Sequence, residues 1–534
     1  MRFKKTGLLA IASFGLVLTS VLLVERRSPA ISREDRATPT PLATTRNPAP
    51  NVSNAPPDLA LAREIDRTID ESEPAQARWG VFVMSMSDGR VLYSRNGDKL
   101  FTPASNMKIY TTAAALDLLG ADYHWRTSVY AGKQPDSNGV IDGDLTLFGR
   151  GDPGLASYGK DGLPLLVLEL WQHGIRHVRG NVIGDDSYFR GEMYGLGWQW
   201  NDVQWYFGAQ PSALTIDANA MELMITPGGK FGNAATVKLQ RENRYFHLTN
   251  HTTTGERAAP ASIGINRGLS DNEIRVWGEF PAGGRAFTAY LSVYNPALWS
   301  ATLFNEALLA QGIAVDGEPR SRDSRAAEAE KFDPQKAFEI AFAEGRTLGE
   351  IVHQTNKESN NLYAELILRT LGKERGSLAP DPDPRKNRER GDDEAGVAVV
   401  KSWLDRSSIP IDGLAIRDGS GLSRLDLVTP EATARLLVAI SKTNSAGVFH
   451  DSLPIAGRDG TLKPRLLREA GKLFAKTGTL TYDHSLSGYA TTQNGEVLAF
   501  SIFCNDATGH SDPVRLIDEI AALLVAYDSH SKVK

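Results

Sequence analysis

A chain of 534 residues with 41% hydrophobic content and charges of both signs has the size of roughly three domains and a composition that argues against disorder as its default state. Its formal net charge of −5 lacks the basic excess that neutralises phosphates, which argues against nucleic acid as a partner. The single cysteine, Cys504, rules out an internal disulfide framework and a Cys-rich metal site, and beside Phe503 it reads as a small core residue.

Arg2, Lys4 and Lys5 precede an uncharged, mostly apolar run from Gly7 to Val24, and Glu25, Arg26 and Arg27 follow at once. That order predicts export, with residues 1–30 as a signal peptide or an N-terminal membrane anchor. Eighteen residues lie between a long signal core and a short span, and no clean A-x-A site follows, so cleavage and retention both stay open. The expected location is periplasmic or otherwise extracytoplasmic, with membrane association confined to this segment. Six prolines among Thr, Asn and Ala make residues 31–58 a linker.

Leu59 to Ile69 has helical apolar spacing. Gly80 to Met86 and Val91 to Ser94 read as strands joined by the turn Ser87-Asp-Gly-Arg. Ile109 to Leu119, rich in Ala and Leu and closed by Gly120, is a predicted helix with Ser105 in its first turn. From about Arg126 the chain changes to short alternating runs separated by Gly, Asp and Asn, a β-rich texture that lasts to about 315, with an amphipathic helix over Pro296 to Ile313. Further helices are expected over 362–371, 395–404 and 429–442, the last with Thr429 as cap and Pro430 at its first position. Gly372 to Glu394 mixes prolines with both signs of charge and reads as a solvated loop; its Arg385-Lys-Asn-Arg-Glu-Arg run is a weaker candidate for a basic patch. Strands over 472–479, 485–491 and 497–504 and a helix over 513–527 close the chain.

Three short patterns occur in order: Ser105-Asn-Met-Lys108, Ser359-Asn-Asn361 and Lys476-Thr-Gly478. S-x-x-K or S-x-N alone arises about once by chance in a chain this long, so the weight lies in the order and placement of all three. Ser105 and Lys108, three apart on a helix, share a face within side-chain reach. A serine hydroxyl needs a base to take its proton, and a lysine serves where burial or a nearby cation destabilises its ammonium. In a strand, alternation puts Lys476 and Gly478 on one face and Thr477 and Thr479 on the other. Gly478 leaves room for a substrate backbone, and the lysine and hydroxyls suit a substrate carboxylate.

These motifs resemble the catalytic set of penicillin-binding proteins and serine β-lactamases. Ser105 and Ser359 lie 254 positions apart, far more than in class A β-lactamases or the shorter carboxypeptidases. Together with Gly151-Asp-Pro, Asp418-Gly-Ser-Gly-Leu-Ser-Arg424 and Leu453-Pro-Ile-Ala-Gly-Arg-Asp-Gly-Thr, this spacing makes the chain similar, from about 60 to 528, to one family. That family is the D-alanyl-D-alanine carboxypeptidase/endopeptidase group of low-molecular-mass penicillin-binding proteins (class C, peptidase family S13). The resemblance implies an α/β (α+β) fold, a β-lactamase-like catalytic domain formed by 59–125 and 316–534, and inserted β-rich domains over 126–315. It implies a Ser105 acyl-enzyme, Lys108 as base and Ser359 as proton relay to the leaving amine. Asn361 would hold the substrate's amide, Lys476 and Thr477 its carboxylate, and the N–H groups of Ser105 and Thr479 the oxyanion. The implied partners are peptidoglycan stem peptides and β-lactams, without metal or other cofactor.

Two other functions compete. A β-lactamase is disfavoured by the spacing, and a non-catalytic wall- or β-lactam-binding protein gains nothing from a nucleophile with its base. The role of Asp418-Gly-Ser-Gly is evenly divided between a structural turn and a substrate contact. Trp198, Trp200 and Trp205 read as core aromatics ahead of a glycan surface.

Overall fold

In the computed structural model, residues 51–156, 162–241, 243–257, 260–327, 331–377, 390–509 and 512–530 are described. The N-terminal segment 1–30, most of the linker and Arg385 to Glu389 of the basic run lie outside them. Among the described residues no helix is long and apolar enough to cross a membrane.

The catalytic sheet has five antiparallel strands in the order Leu473–Leu480, Asp483–Thr491, Val497–Asn505, Arg78–Ser85, Val91–Arg95. Arg78–Ser85 is buried on both faces beyond its first residue, and its period of two divides it between two cores. Val81 and Val83 pack with Phe500 and Ile502 beneath the helices Pro56–Asp70 and Pro513–Ala526. Phe82 and Met84 pack with Ala499 and Phe503 against the helices Met107–Leu119 and Pro430–Ile440. Cys504 is a buried thiol in the first of these cores.

Met107–Leu119 is buried at every position from Met107 to Leu116, which is why its apolar pattern is continuous and not one-sided. Gly120, at φ 87, ends it. Thr429 caps Pro430–Ile440 by accepting from the Ala432 N–H, as the Thr-Pro pair predicts. The helix Asn361–Arg375 is capped by Asn360 and runs four residues past Leu371; Asp392–Arg406 starts three before Ala395.

The strands between the first two motifs form separate sheets. The largest has the order Pro319–Arg322, Val182–Asp185, Leu145–Phe148, His124–Ala131, Phe338–Thr347, and its first three members run parallel. Parallel neighbours need crossovers, and helices Leu163–Gln172 and Pro296–Ala310 lie between them in sequence. Two three-stranded sheets add Thr236–Leu239, Ala220–Thr226 and Phe287–Ser292, and His247–Gly255, Glu273–Pro281 and Gly264–Arg267. One apolar core joins residues from Val129 to Ala341. Pairing of Phe338–Thr347 with His124–Ala131 carries strand structure past residue 315, to Thr347, where the next helix, Leu348–Lys357, begins.

Candidate active site

Ser105 sits in a 3-10 turn, Ala104–Asn106, immediately before the helix Met107–Leu119. Ala104 takes a left-handed conformation, φ 48, a backbone state that costs about 1–3 kcal/mol in a residue with a side chain and persists only where the surroundings fix it. Here they do. Ser485 Oγ donates to Pro103 O at 2.7 Å, and Asn106 Nδ2 donates to Ser487 Oγ at 3.0 Å. Two motif glycines close on the same turn. A Cβ at Gly421, itself at φ 81, would stand 1.8 Å from Ala104 O. One at Gly478 would stand 2.8 Å from Pro103 O and 3.0 Å from Ser105 N. Gly478 therefore gives room to the nucleophile's own turn, a different reason from the substrate clearance expected of it. The strand Leu473–Leu480 is thereby held beside Ser105, with Thr479 exposed near its end.

Lys108 is fully buried, and three oxygens surround its amine: Ser105 Oγ at 2.9 Å, Asn361 Oδ1 at 2.6 Å and Ser420 O at 2.8 Å. Burial draws its pKa down to about 7 against the opposing pull of Asp418 and Glu365. A neutral amine can donate its two N–H bonds to the two carbonyl oxygens and turn its lone pair to the Ser105 hydroxyl. That is the arrangement of a general base with its nucleophile.

Ser359 and Lys476 form a second pair. Ser359, at φ 61, lies in the link between Leu348–Lys357 and Asn361–Arg375, and its Oγ accepts from Lys476 Nζ at 2.9 Å. Lys476 is fully buried and also donates to Thr477 O at 2.8 Å. Burial and the neighbouring Lys108 hold its pKa well below the ordinary lysine range. Lys476 and Gly478 do share the face toward Ser359 and Ser105. Thr477 Oγ1 lies 2.7 Å from Thr461 Oγ1.

Asn361 is engaged at both ends, its Oδ1 by Lys108 and its Nδ2 by donation to Phe207 O at 2.8 Å. Its carboxamide thus holds the Lys108 amine and ties the 194–207 loop to the cleft. Trp198 Nε1 in that loop donates to Asp418 Oδ2 at 2.8 Å, Trp205 is partly buried beside Leu291, and Trp200 is 71% exposed. The tryptophans therefore do not act as one core cluster.

The Asp418-Gly-Ser-Gly turn contacts this cluster directly, since its Ser420 carbonyl accepts from Lys108 Nζ. Sequence reasoning missed three residues here: Glu365, Asp426 and Thr461. Glu365 carried a signal, because it lies one helical turn beyond Asn361 on the same face. Asp426 and Thr461 carried none.

The profile of the D-Ala-D-Ala carboxypeptidase 3 (S13) family matches residues 61–527. A D-alanyl-D-alanine carboxypeptidase of an Actinomadura species is 35% identical over 485 residues, covering 88% of this chain and 85% of that one. The crystal structure of penicillin binding protein 4 from Haemophilus influenzae superimposes with a TM-score of 0.72 at 24% identity, over 86% of this chain and 98% of that one. The same Haemophilus protein complexed with a β-lactam gives a TM-score of 0.67 at 22% identity, over 86% and 97%.

Proposed function

Because the chain belongs to the D-Ala-D-Ala carboxypeptidase (S13) family, we propose that Ser105 is the nucleophile through which it cleaves D-Ala-D-Ala ends of peptidoglycan stem peptides. The observation that carries this reading is the 2.9 Å approach of the buried Lys108 amine to the Ser105 hydroxyl. The Ser105 oxygen attacks the carbonyl of the penultimate D-alanine while its proton passes to neutral Lys108. The developing oxyanion is taken by the N–H groups of Ser105 and Thr479. Collapse breaks the peptide bond, and the departing D-alanine amine takes the proton from Lys108 through the Ser359 hydroxyl. Water then attacks the Ser105 ester and gives a proton to Lys108, which returns it to the departing Ser105 oxygen as the acyl C–O bond breaks and the shortened peptide leaves.

Lys476, with Ser359 as its partner, supports the relay: its buried amine donates to the Ser359 hydroxyl at 2.9 Å and orients it for the proton transfer. The substrate carboxylate falls to the hydroxyls of Thr477 and Thr479. A β-lactam enters by the same attack, but its leaving group stays tethered and obstructs water, so it inactivates. This substrate lies outside the cytoplasm, and residues 1–30 are the export signal that takes the enzyme there.

The test is release of free D-alanine from a soluble stem pentapeptide, with and without prior treatment by penicillin. Release that penicillin blocks is expected. No release, or release that survives full acylation, rejects the assignment.

A pH dependence follows from Lys108. Its lowered pKa makes the neutral, competent amine the major form above about pH 7, so acylation falls as pH falls through that value. Each further unit of acidity removes about tenfold of the neutral form. Rates of acylation by a fluorescent penicillin between about pH 5 and 9 are therefore expected to show an acid limb centred near 7. A limb centred near the ordinary carboxylate range instead would assign the base to a carboxylate.

A further inference from the structure

Three carboxyl groups lie buried behind the base: Glu365, Asp418 and Asp426, each no more than 1% exposed. Glu365 Oε1 accepts from the N–H groups of Gly419 and Ser420, both at 2.9 Å. Asp418 Oδ1 accepts from Gly421 N at 2.7 Å and Ser420 N at 3.2 Å; its Oδ2 accepts from Ser423 N and Trp198 Nε1 at 2.8 Å and from Ser420 Oγ at 3.1 Å. Thr111, one turn beyond Lys108, donates to Gly419 O at 2.8 Å. Nearly every polar group of the 419–421 backbone is thus held, and the Ser420 carbonyl is left to face Lys108 Nζ.

We propose that Glu365, Asp418 and Asp426 are positioning residues for the base, a buried carboxyl cluster that fixes the 419–421 backbone around the Lys108 amine. The inference rests on the reading of Lys108 as base and extends it to residues that touch neither substrate nor nucleophile.

The hydrogen bonds fix how the charge is distributed. Five donors converge on Asp418, which makes it the carboxylate. Asp426 accepts from Arg417 N at 2.6 Å through Oδ1, while its buried Oδ2 meets no donor and is turned to Asp418. Two facing carboxylates without a cation between them cannot both be ionised, so Asp426 keeps its proton and donates it to Asp418. Burial and Asp418 push Asp426 well above the carboxylate range and Glu365 to about 8, in the same sense. The other titratable groups facing this region are Lys476, on the strand beside Lys108, and Arg369, on the helix behind Glu365. Asp418 thus opposes the effect of burial on Lys108, and it keeps the base from losing affinity for its proton altogether.

The test compares the pH profile of β-lactam acylation in the full chain for Asp426→Asn, Asp426→Ala and Asp418→Asn, with Lys108→Ala as the control for the base itself. In Asp426→Asn the amide N–H replaces the carboxyl O–H as donor to Asp418, and its oxygen keeps Arg417 N. Rates within about twofold of the parent and an unmoved acid limb are expected. Asp426→Ala, which removes that donor, is expected to lose at least about tenfold. Asp418→Asn removes the Asp418 charge, so the acid limb is expected to move down by about one pH unit, with a plateau lowered at least about tenfold.

An acid limb shifted downward in Asp426→Asn would mean that Asp426 is ionised and would overturn the proposal, as would an unmoved limb in Asp418→Asn. If Asp418→Asn fails to melt cooperatively, Asp426→Asn decides alone. The proposal requires that variant to fold and react as the parent does, so its own failure to fold would count as refutation. Normal acylation in Lys108→Ala would instead reject the assignment of the base.

Discussion

Ser105→Ala is expected to leave no covalent adduct when the protein is exposed to labelled penicillin, with acylation reduced by at least about 10⁴-fold and D-alanine release lost with it. The hydroxyl removed is the one within 2.9 Å of the buried amine of Lys108. Lys108 keeps Asn361 Oδ1 and Ser420 O as partners, and the turn keeps its bonds to Ser485 and Ser487, so the variant should fold as the parent does. Intact-mass spectrometry reads the outcome directly. The other hydroxyl beside a buried amine is Ser359, bound to Lys476. A residual adduct mapping to Ser359 would exchange the roles of the two serines, and one that persists elsewhere would remove Ser105 from the mechanism.

The two lysines are expected to fail in different ways. Lys108→Ala deprives Ser105 of its base and should slow acylation by every substrate by about 10²–10⁴-fold, whatever its charge. For Lys476→Ala the amino-acid pattern and the structure point to different outcomes. Beside a substrate-binding strand, a lysine reads as a receptor for the terminal carboxylate, and its loss would then penalise free-acid peptides alone. Buried, and bonded to Ser359 Oγ and Thr477 O, Lys476 has its donors turned into the relay. Equal losses, about 10²-fold, are therefore expected with a free-acid peptide and with its C-terminal amide. A loss confined to the free acid would restore the carboxylate role.

The contrast over Lys476 indicates which properties local sequence carries. Apolar periodicity located the nucleophile helix, the strands of the catalytic sheet and the capped helix Pro430–Ile440, because each buries a regular face. The motifs singled out Ser105, Lys108, Ser359 and Lys476, which the fold brings together in two pairs, because Ser-x-x-Lys is a local spacing on one helix. Parallel pairing of Leu145–Phe148, Val182–Asp185 and Pro319–Arg322 stayed hidden, since a parallel ladder joins segments through distant crossovers, and the helix Leu163–Gln172 passed unread inside a β-rich texture. The helices Leu348–Lys357 and Ala446–Ser452 are short, and they too escaped notice. Gly478 announced a close approach but not which atoms approach. The buried carboxyls were least visible of all. Asp426 looks like any turn aspartate until Asp418 is brought against it by the fold.

The catalytic sheet interleaves the two ends of the chain, and this bears on when the protein becomes reactive. Arg78–Ser85 pairs with Val91–Arg95 on one side, but its other neighbour is Val497–Asn505, more than 400 residues later. The helix Pro56–Asp70 packs against Pro513–Ala526, and the Tyr527 hydroxyl bonds to Asp58. A polypeptide emerging N-terminus first presents Ser105 and Lys108 early, yet the serines that clamp the nucleophile's turn and the strand that carries Lys476 and Thr479 come almost last. Contacts this distant in sequence make folding slow, because so much loop entropy is lost before they form. They also make maturation all-or-none: a nascent or truncated chain lacks the geometry to attack any amide, and hydrolytic competence arrives only with the final strands.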